Sequence, residues 1–268
     1  MSERTPSLLD ATCEDFVYDL AEISPTLGTE IGIHDHDDQL QDFSPEHWNE
    51  IADRIRDLVA DVDALHDGTD ASDDDDDFDE VDYVTGELLR DRMLVELDLH
   101  HRGENLRMLN NVTSPVQIIR NALTVMPKET DEDLENLAQR MLCVRRSLAG
   151  YRESLAEAAG QGDVASKRQI DAVISQCEAL AEDGSLLEAL GLEFDSEPVA
   201  QAKEAFSEMA DWLSTELAPL APHTDSVGRE RYELFSQFCL GREIDLDEAY
   251  EWSLDALAQI VDKQQRVA

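Results

Sequence analysis

The residues best suited to chemistry lie in one short stretch, "IGIHDHDDQL" at positions 31–40, which holds two histidines and three aspartates. In an extended segment, His34 and His36 would lie on one side of the backbone, and Asp35 and Asp37 on the other. A His-x-His pair on one side could clasp a metal ion. Two ligands do not complete a metal site, so the others would have to come from distant parts of the chain.

The rest of the sequence supplies no recognisable third ligand. The other histidines, at positions 47, 66, 100, 101 and 223, include no pair at helical spacing, and the zinc signature His-Glu-x-x-His does not occur. There is also no Gly-x-Ser-x-Gly elbow and no phosphate-binding glycine loop. We therefore predict no catalytic residue and no cofactor in this chain. His34 and His36 remain the candidate metal ligands, against a polar loop whose aspartates form turns and caps.

The acidic composition restricts the partners of the protein. Its 268 residues include 62 Asp and Glu against 21 Lys and Arg, for a formal net charge of -41. Dense, periodic aliphatic residues between the acids argue against disorder. Acid-rich, lysine-poor usage along the whole chain favours a folded protein of a halophile over a specialised acidic interaction protein. Nucleic acid is not expected as a partner, because no basic patch exists to displace phosphate counterions.

The location of the protein is predicted from its N-terminal residues, its apolar runs and the spacing of its cysteines. The first twenty residues contain one arginine and no apolar core of a signal peptide. No uncharged apolar run approaches about 18 residues, so we expect no membrane segment. The four cysteines form no Cys-x-x-Cys pair, which is typical of a reducing compartment. Together these features predict a cytoplasmic protein.

Helical periodicity predicts an all-α fold, an irregular array of about eight helices. Ser44 followed by Pro45 indicates the N-terminus of a long helix, and Thr130 followed by three acidic residues indicates another. A segment ending at His101 carries Val81 and Leu88 on a wide apolar face, which suggests burial between several neighbours. We expect one helical domain or part-domain over residues 1–268. The aspartate-rich run 67–79 is predicted to be a flexible loop within it.

Three motifs in order resemble a known family. The stretch "TLGTEIGIHDHDDQLQDFSPE" is similar to the N-terminal signature of the domain of unknown function 885 proteins, a glycine turn followed by a His- and Asp-rich loop and a Ser-Pro helix start. The stretch "VMPKETDEDLENLAQRM" resembles that family's Met-Pro and Glu-Asp helix start. The stretch "VGRERYELFSQFCLGREIDLDEAYEWSLDAL" resembles its last two helices. The likeness runs from about Phe16 to the end of the sequence.

The resemblance implies a mostly helical, zinc-dependent, peptidase-like hydrolase of the His-Glu-x-x-His type. In such proteins the zinc helix lies downstream of the segment that matches here. The chain is therefore expected to be the N-terminal half of a larger helical metallohydrolase architecture, inactive alone, with zinc only in the full-length protein. A separate or downstream catalytic segment would be its partner. Peptide would be a substrate only of the completed protein.

Two other functions remain open from the sequence. The chain could be a non-catalytic binding or scaffold protein of a halophile that reuses the helical fold. It could also be an independent metalloenzyme that uses His34, His36 and distant acids.

Overall fold

The computed structural model describes residues 4–68, 78–193 and 195–267, and within these ranges every regular element is helical. The prediction of an all-α fold is confirmed. The ten α-helices of the described ranges are α1 (Leu8–Ile23), α2 (Pro25–Ile31), α3 (Pro45–Gly68), α4 (Glu80–His101), α5 (Pro115–Val125), α6 (Asp131–Gly160), α7 (Lys167–Ala181), α8 (Glu197–Trp212), α9 (Arg229–Leu240) and α10 (Leu246–Val267). A π-helical turn, Leu213–Leu217, continues α8.

The helix count exceeds the predicted eight because two prolines start helices of their own. Pro25 not only ends α1 but begins α2, and Pro115 begins α5. Proline suits the first helical position, since its missing N–H would have no partner inside the helix there. Short proline-bounded apolar segments can therefore be helices in their own right.

Side-chain caps fix the helix starts where the sequence predicts them. The backbone N–H of His47 donates to Ser44 Oγ at 3.2 Å at the start of α3. At the start of α6, the backbone N–H of Asp133 donates to Thr130 Oγ1 at 3.1 Å, and the backbone N–H of Thr130 donates to Asp133 Oδ2 at 2.9 Å. This reciprocal capping box satisfies two backbone donors that the helix leaves free.

The described chain divides into two compact units, residues 1–225 and 226–268. The core of the first unit is built on α6, whose apolar stripe is buried. Its fully or almost fully buried members are Leu137, Met141, Val144, Leu148 and Tyr151. Helices α5, α7 and α8 supply most of the rest of this core, and a smaller cluster joins α1 to α3.

Helix α4 is less buried than its apolar residues predict. Val81, Val84 and Leu88 are 55%, 65% and 61% exposed, while Val95 and Leu99 are buried. The prediction of burial between several neighbours is wrong for the first half of α4. In that half, the buried residues are Asp82 and Gly86, which lie on a different side of the helix from the exposed valines.

The predicted acidic loop falls largely outside the described residues. Helix α3 extends to Gly68, and Asp79 caps α4 by accepting from the backbone N–H of Val81 at 2.7 Å. Residues 69–77 are not described, so the prediction of a flexible loop is untested there. None of the helices in the described ranges is long and apolar enough to cross a membrane.

The second unit, residues 226–268, contains α9 and α10. The Arg229 guanidinium at the start of α9 pairs with the Asp247 carboxylate at the start of α10, at 2.7 Å. Leu234 is the one buried apolar residue among those described in this unit.

Candidate functional site

The His- and Asp-rich stretch folds as a turn between α2 and α3. Gly32 takes the left-handed conformation, with φ of 87°, and ends α2. Backbone hydrogen bonds then join Asp37 to His34 and Gln39 to His36 across the turn. The segment is therefore a polar turn and not extended, so strand alternation does not apply to His34 and His36.

The two histidines have different partners. His34 Nδ1 lies 2.8 Å from Asp37 Oδ2, while His36 Nδ1 lies 3.4 Å from Gln39 Nε2. Across the described ranges, no three His, Cys, Asp or Glu side chains are grouped to hold a metal ion. The oxygens of the buried Asp37 carboxylate are already bonded to protein groups. The described residues around this turn do not fit a zinc site.

A buried arginine organises this turn. Arg140 of α6 is fully buried, and its guanidinium donates to Thr29 Oγ1 at 2.7 Å and to the His36 carbonyl oxygen at 2.8 Å. It also lies 3.4 Å from Asp37 Oδ1, which accepts a 2.6 Å hydrogen bond from Thr29 Oγ1. Burial lowers the pKa of Arg140, and the Asp37 and Asp38 carboxylates oppose this. The Arg140 network thus ties α2, the turn and α6 together.

Helix α6 also holds the chain that follows the turn. Ser147 Oγ donates to the Gln41 carbonyl oxygen, and Ser154 Oγ donates to the Phe43 carbonyl oxygen at 2.7 Å. Between them, Gly150 lets the backbone approach so closely that an added Cβ would overlap the Asp42 carbonyl oxygen. Small residues at these spacings form one face of the helix, against which residues 41–43 lie.

The backbone of this segment is strained at Phe43. Its φ is 52°, the one positive φ of a non-glycine residue in the part of the chain that the structure describes. A bulky residue adopts this conformation rarely, at a cost of order 1–3 kcal/mol. The hydrogen bonds to α6 and the full burial of the Phe43 ring hold it in place.

A cleft with a volume of about 340 Å³ lies beside this segment. Its aromatic wall consists of Phe43, His47 and Trp48, with the His47 and Trp48 ring centroids 5.0 Å apart. Two buried amides, Gln41 and Gln117, also line it, but each is already hydrogen bonded to protein groups. Such a concave, mostly apolar cleft is the kind of surface that binds small molecules or peptide side chains.

The aromatic wall is uncharged at neutral pH. Burial lowers the pKa of His47 from 6.5 to about 4, and the Asp42 carboxylate only partly opposes this. The indole N–H of Trp48 is buried and has no hydrogen-bond partner within the described residues. His47 is therefore a weak base, and the cleft is better suited to binding than to proton transfer.

Sequence reasoning missed Arg140, the serines of α6 and the cleft. Arg140 stands on the same stripe as Leu137, Met141 and Val144, and this position was a signal of burial. Its partners are more than 100 positions away, so spacing could not identify them.

Residues 25–268 match the sequence model of a family described as "Bacterial protein of unknown function (DUF885)". The fold also resembles two solved structures. A "putative lipoprotein of unknown function" from Shewanella oneidensis has a TM-score of 0.67 and 13% identity, and the match covers 95% of this chain and 46% of that one. A "putative lipoprotein" from Colwellia psychrerythraea has a TM-score of 0.64 and 12% identity, with 96% and 50% coverage. No curated protein matches the chain.

These comparisons establish two facts. At such low identity, the two structures show similarity of fold alone. The chain also spans about half the length of each of them.

Proposed function

The chain belongs to the family of bacterial proteins of unknown function DUF885, and from this membership we propose that it forms the non-catalytic, helical part of a larger zinc-dependent, peptidase-like hydrolase. The observation that carries the proposal is the difference in length between this chain and the solved structures that share its fold. Nearly the whole chain aligns with only 46% and 50% of two solved structures of the same fold. Each of these two structures therefore includes about as much chain again.

In this proposal the chain shapes and supports a substrate cleft. Its contribution would be the aromatic wall of Phe43, His47 and Trp48, which the Arg140 network and the α6 serines hold in position. Rigid support of this kind positions a substrate without taking part in bond cleavage. Zinc, the metal ligands and the general base would come from a separate or downstream segment, and peptide would be the substrate of the completed protein.

The surroundings of the protein are part of the same proposal. A formal net charge of -41 on 268 residues suits a cytoplasm with molar salt, where ions screen the repulsion between carboxylates. The halophilic origin and the cytoplasmic location both stay predictions.

The intact mass of the native product, measured together with its reading frame beyond the Ala268 codon, tests the proposal. We expect either a product longer than this chain that carries His-Glu-x-x-His, or a stable complex with a polypeptide that carries it. A native product of 30.0 kDa with no such partner would contradict the proposal.

A non-catalytic binding or scaffold protein is the second candidate function. It is favoured by the extensive buried core of the first unit, which joins α5, α6, α7 and α8. This candidate predicts a monodisperse protein of 30.0 kDa that unfolds cooperatively in molar salt and has no catalytic partner.

A further inference from the structure

The second unit exposes far more apolar surface than its size explains. Of the 25 large apolar side chains exposed among the described residues, twelve lie between Val227 and Val267. The only buried apolar residue described there is Leu234. A helical pair of about 40 residues cannot be stable on so small a core, and apolar patches of this kind mark interaction surfaces.

Five large apolar residues of α10 form one continuous stripe, which we call the α10 stripe, whereas the exposed Trp252 lies on the other side of the helix. Its members are Leu246, Tyr250, Leu254, Leu257 and Val261, at spacings of four, four, three and four residues. This is the pattern of a helix that packs along another helix. The last four members are 65%, 50%, 57% and 41% exposed, and Ile260 beside them is 52% exposed. The stripe runs for about 22 Å at 1.5 Å per residue.

Most charged residues of α10 lie on other sides of the helix than the α10 stripe. The acids Glu248, Asp255 and Asp262 stand on the opposite side of α10. The unit as a whole carries nine acidic and five basic residues, a much smaller imbalance than the rest of this acidic chain. A lower acidic excess together with a row of large apolar side chains is typical of an interaction surface and not of a surface that contacts only solvent.

We propose that the α10 stripe is the docking surface for an amphipathic helical segment equivalent to the half of the solved structures that this chain does not match. The inference rests on the proposed function. The matches cover 95% and 96% of this chain, so the fold they share includes most of the second unit, yet they leave half of each solved chain outside. That remaining chain is of the right size to cover a helix 22 residues long.

Site-specific cross-linking, in the cells that produce the full-length native protein, tests whether such a helical segment lies on the α10 stripe. A photoreactive phenylalanine replaces Leu257 on the stripe or, as a matched control on the opposite side of α10, Asp255. We expect position 257 to cross-link at least tenfold more than position 255. The captured peptide should come from a helical segment outside residues 1–268, in the same polypeptide or in one that completes the family architecture.

Three results would overturn the inference: cross-linking to α10 of a second copy, cross-linking to residues 1–225, or equal yields at the two positions. The double substitution Leu254→Glu and Leu257→Glu, made in protein with a photoreactive phenylalanine at Tyr250, should lower cross-linking tenfold with an unchanged helical circular dichroism spectrum. Zinc content separates the two proposals. A native protein that holds zinc through residues 1–268 defeats the proposed function, whereas failed cross-linking in a protein with a downstream zinc segment defeats only the docking surface.

Discussion

Replacing Arg140 by methionine should destabilise the protein by about 3 kcal/mol. The side chain is fully buried, and it donates to Thr29 Oγ1 at 2.7 Å and to the His36 carbonyl oxygen at 2.8 Å. Methionine fills much of the volume but leaves the buried Asp37 carboxylate without its cationic partner. Breaking a buried ion pair from one side costs about 3–5 kcal/mol.

The lower end of that range applies for two reasons. Asp37 keeps its hydrogen bonds to Thr29 and His34 in the variant. In addition, Arg140 Nε is buried without a partner among the described residues, so its desolvation already costs the native protein free energy.

The assay is urea unfolding followed by circular dichroism in molar salt, with Arg145→Met as the matched control. Arg145 is exposed on the same helix and pairs with Glu204 and Glu208, so its loss should cost no more than about 1 kcal/mol. Adding Asp37→Leu to Arg140→Met should recover part of the loss, because it removes the uncompensated charge. A cost for Arg140→Met equal to that of the control would refute this account of the turn.

Three further predictions concern packing, pH and salt. Gly150→Ala should destabilise the protein by about 1–3 kcal/mol in urea unfolding, because its Cβ would overlap the Asp42 carbonyl oxygen, whereas Gly160→Ala on the same helix meets no atom and should be neutral or slightly stabilising. Burial lowers the pKa of His47 to about 4, so its neutral form stabilises the fold above pH 6.5, and roughly 3 kcal/mol is lost as the pH falls from 6.5 through 4. His47→Gln should flatten the stability profile in that window, and an unchanged profile would contradict burial of the imidazole. Raising potassium chloride from about 0.1 M, where the Debye length is about 10 Å, to about 1 M should increase the free energy of unfolding, and a flat salt dependence would argue against halophilic adaptation.

Local signals explain how much of the fold the sequence could predict. Ser44 and Thr130 cap their helices through neighbouring backbone N–H groups, so their role depends on a few adjacent residues. The buried stripe of α6 follows equally directly from helical spacing.

The turn and the cleft depend on contacts that one sequence does not reveal. Thr29 and Arg140 are 111 positions apart, as are Phe43 and Ser154. Without those partners, the histidines and aspartates predict a polar loop with turns, but not the buried arginine that organises it. The exposure of Val84 had a similar cause, since apolar residues on two sides of α4 did not reveal which side is covered.

Zinc content and peptide cleavage, measured together on the purified 268-residue chain in molar salt, test the central claim most directly. The account predicts zinc far below one ion per chain, and no cleavage of a broad peptide library above the rate without protein. Zinc bound at one ion per chain together with peptide cleavage, both lost in His34→Ala and His36→Ala, would contradict it and identify this chain as an independent metalloenzyme.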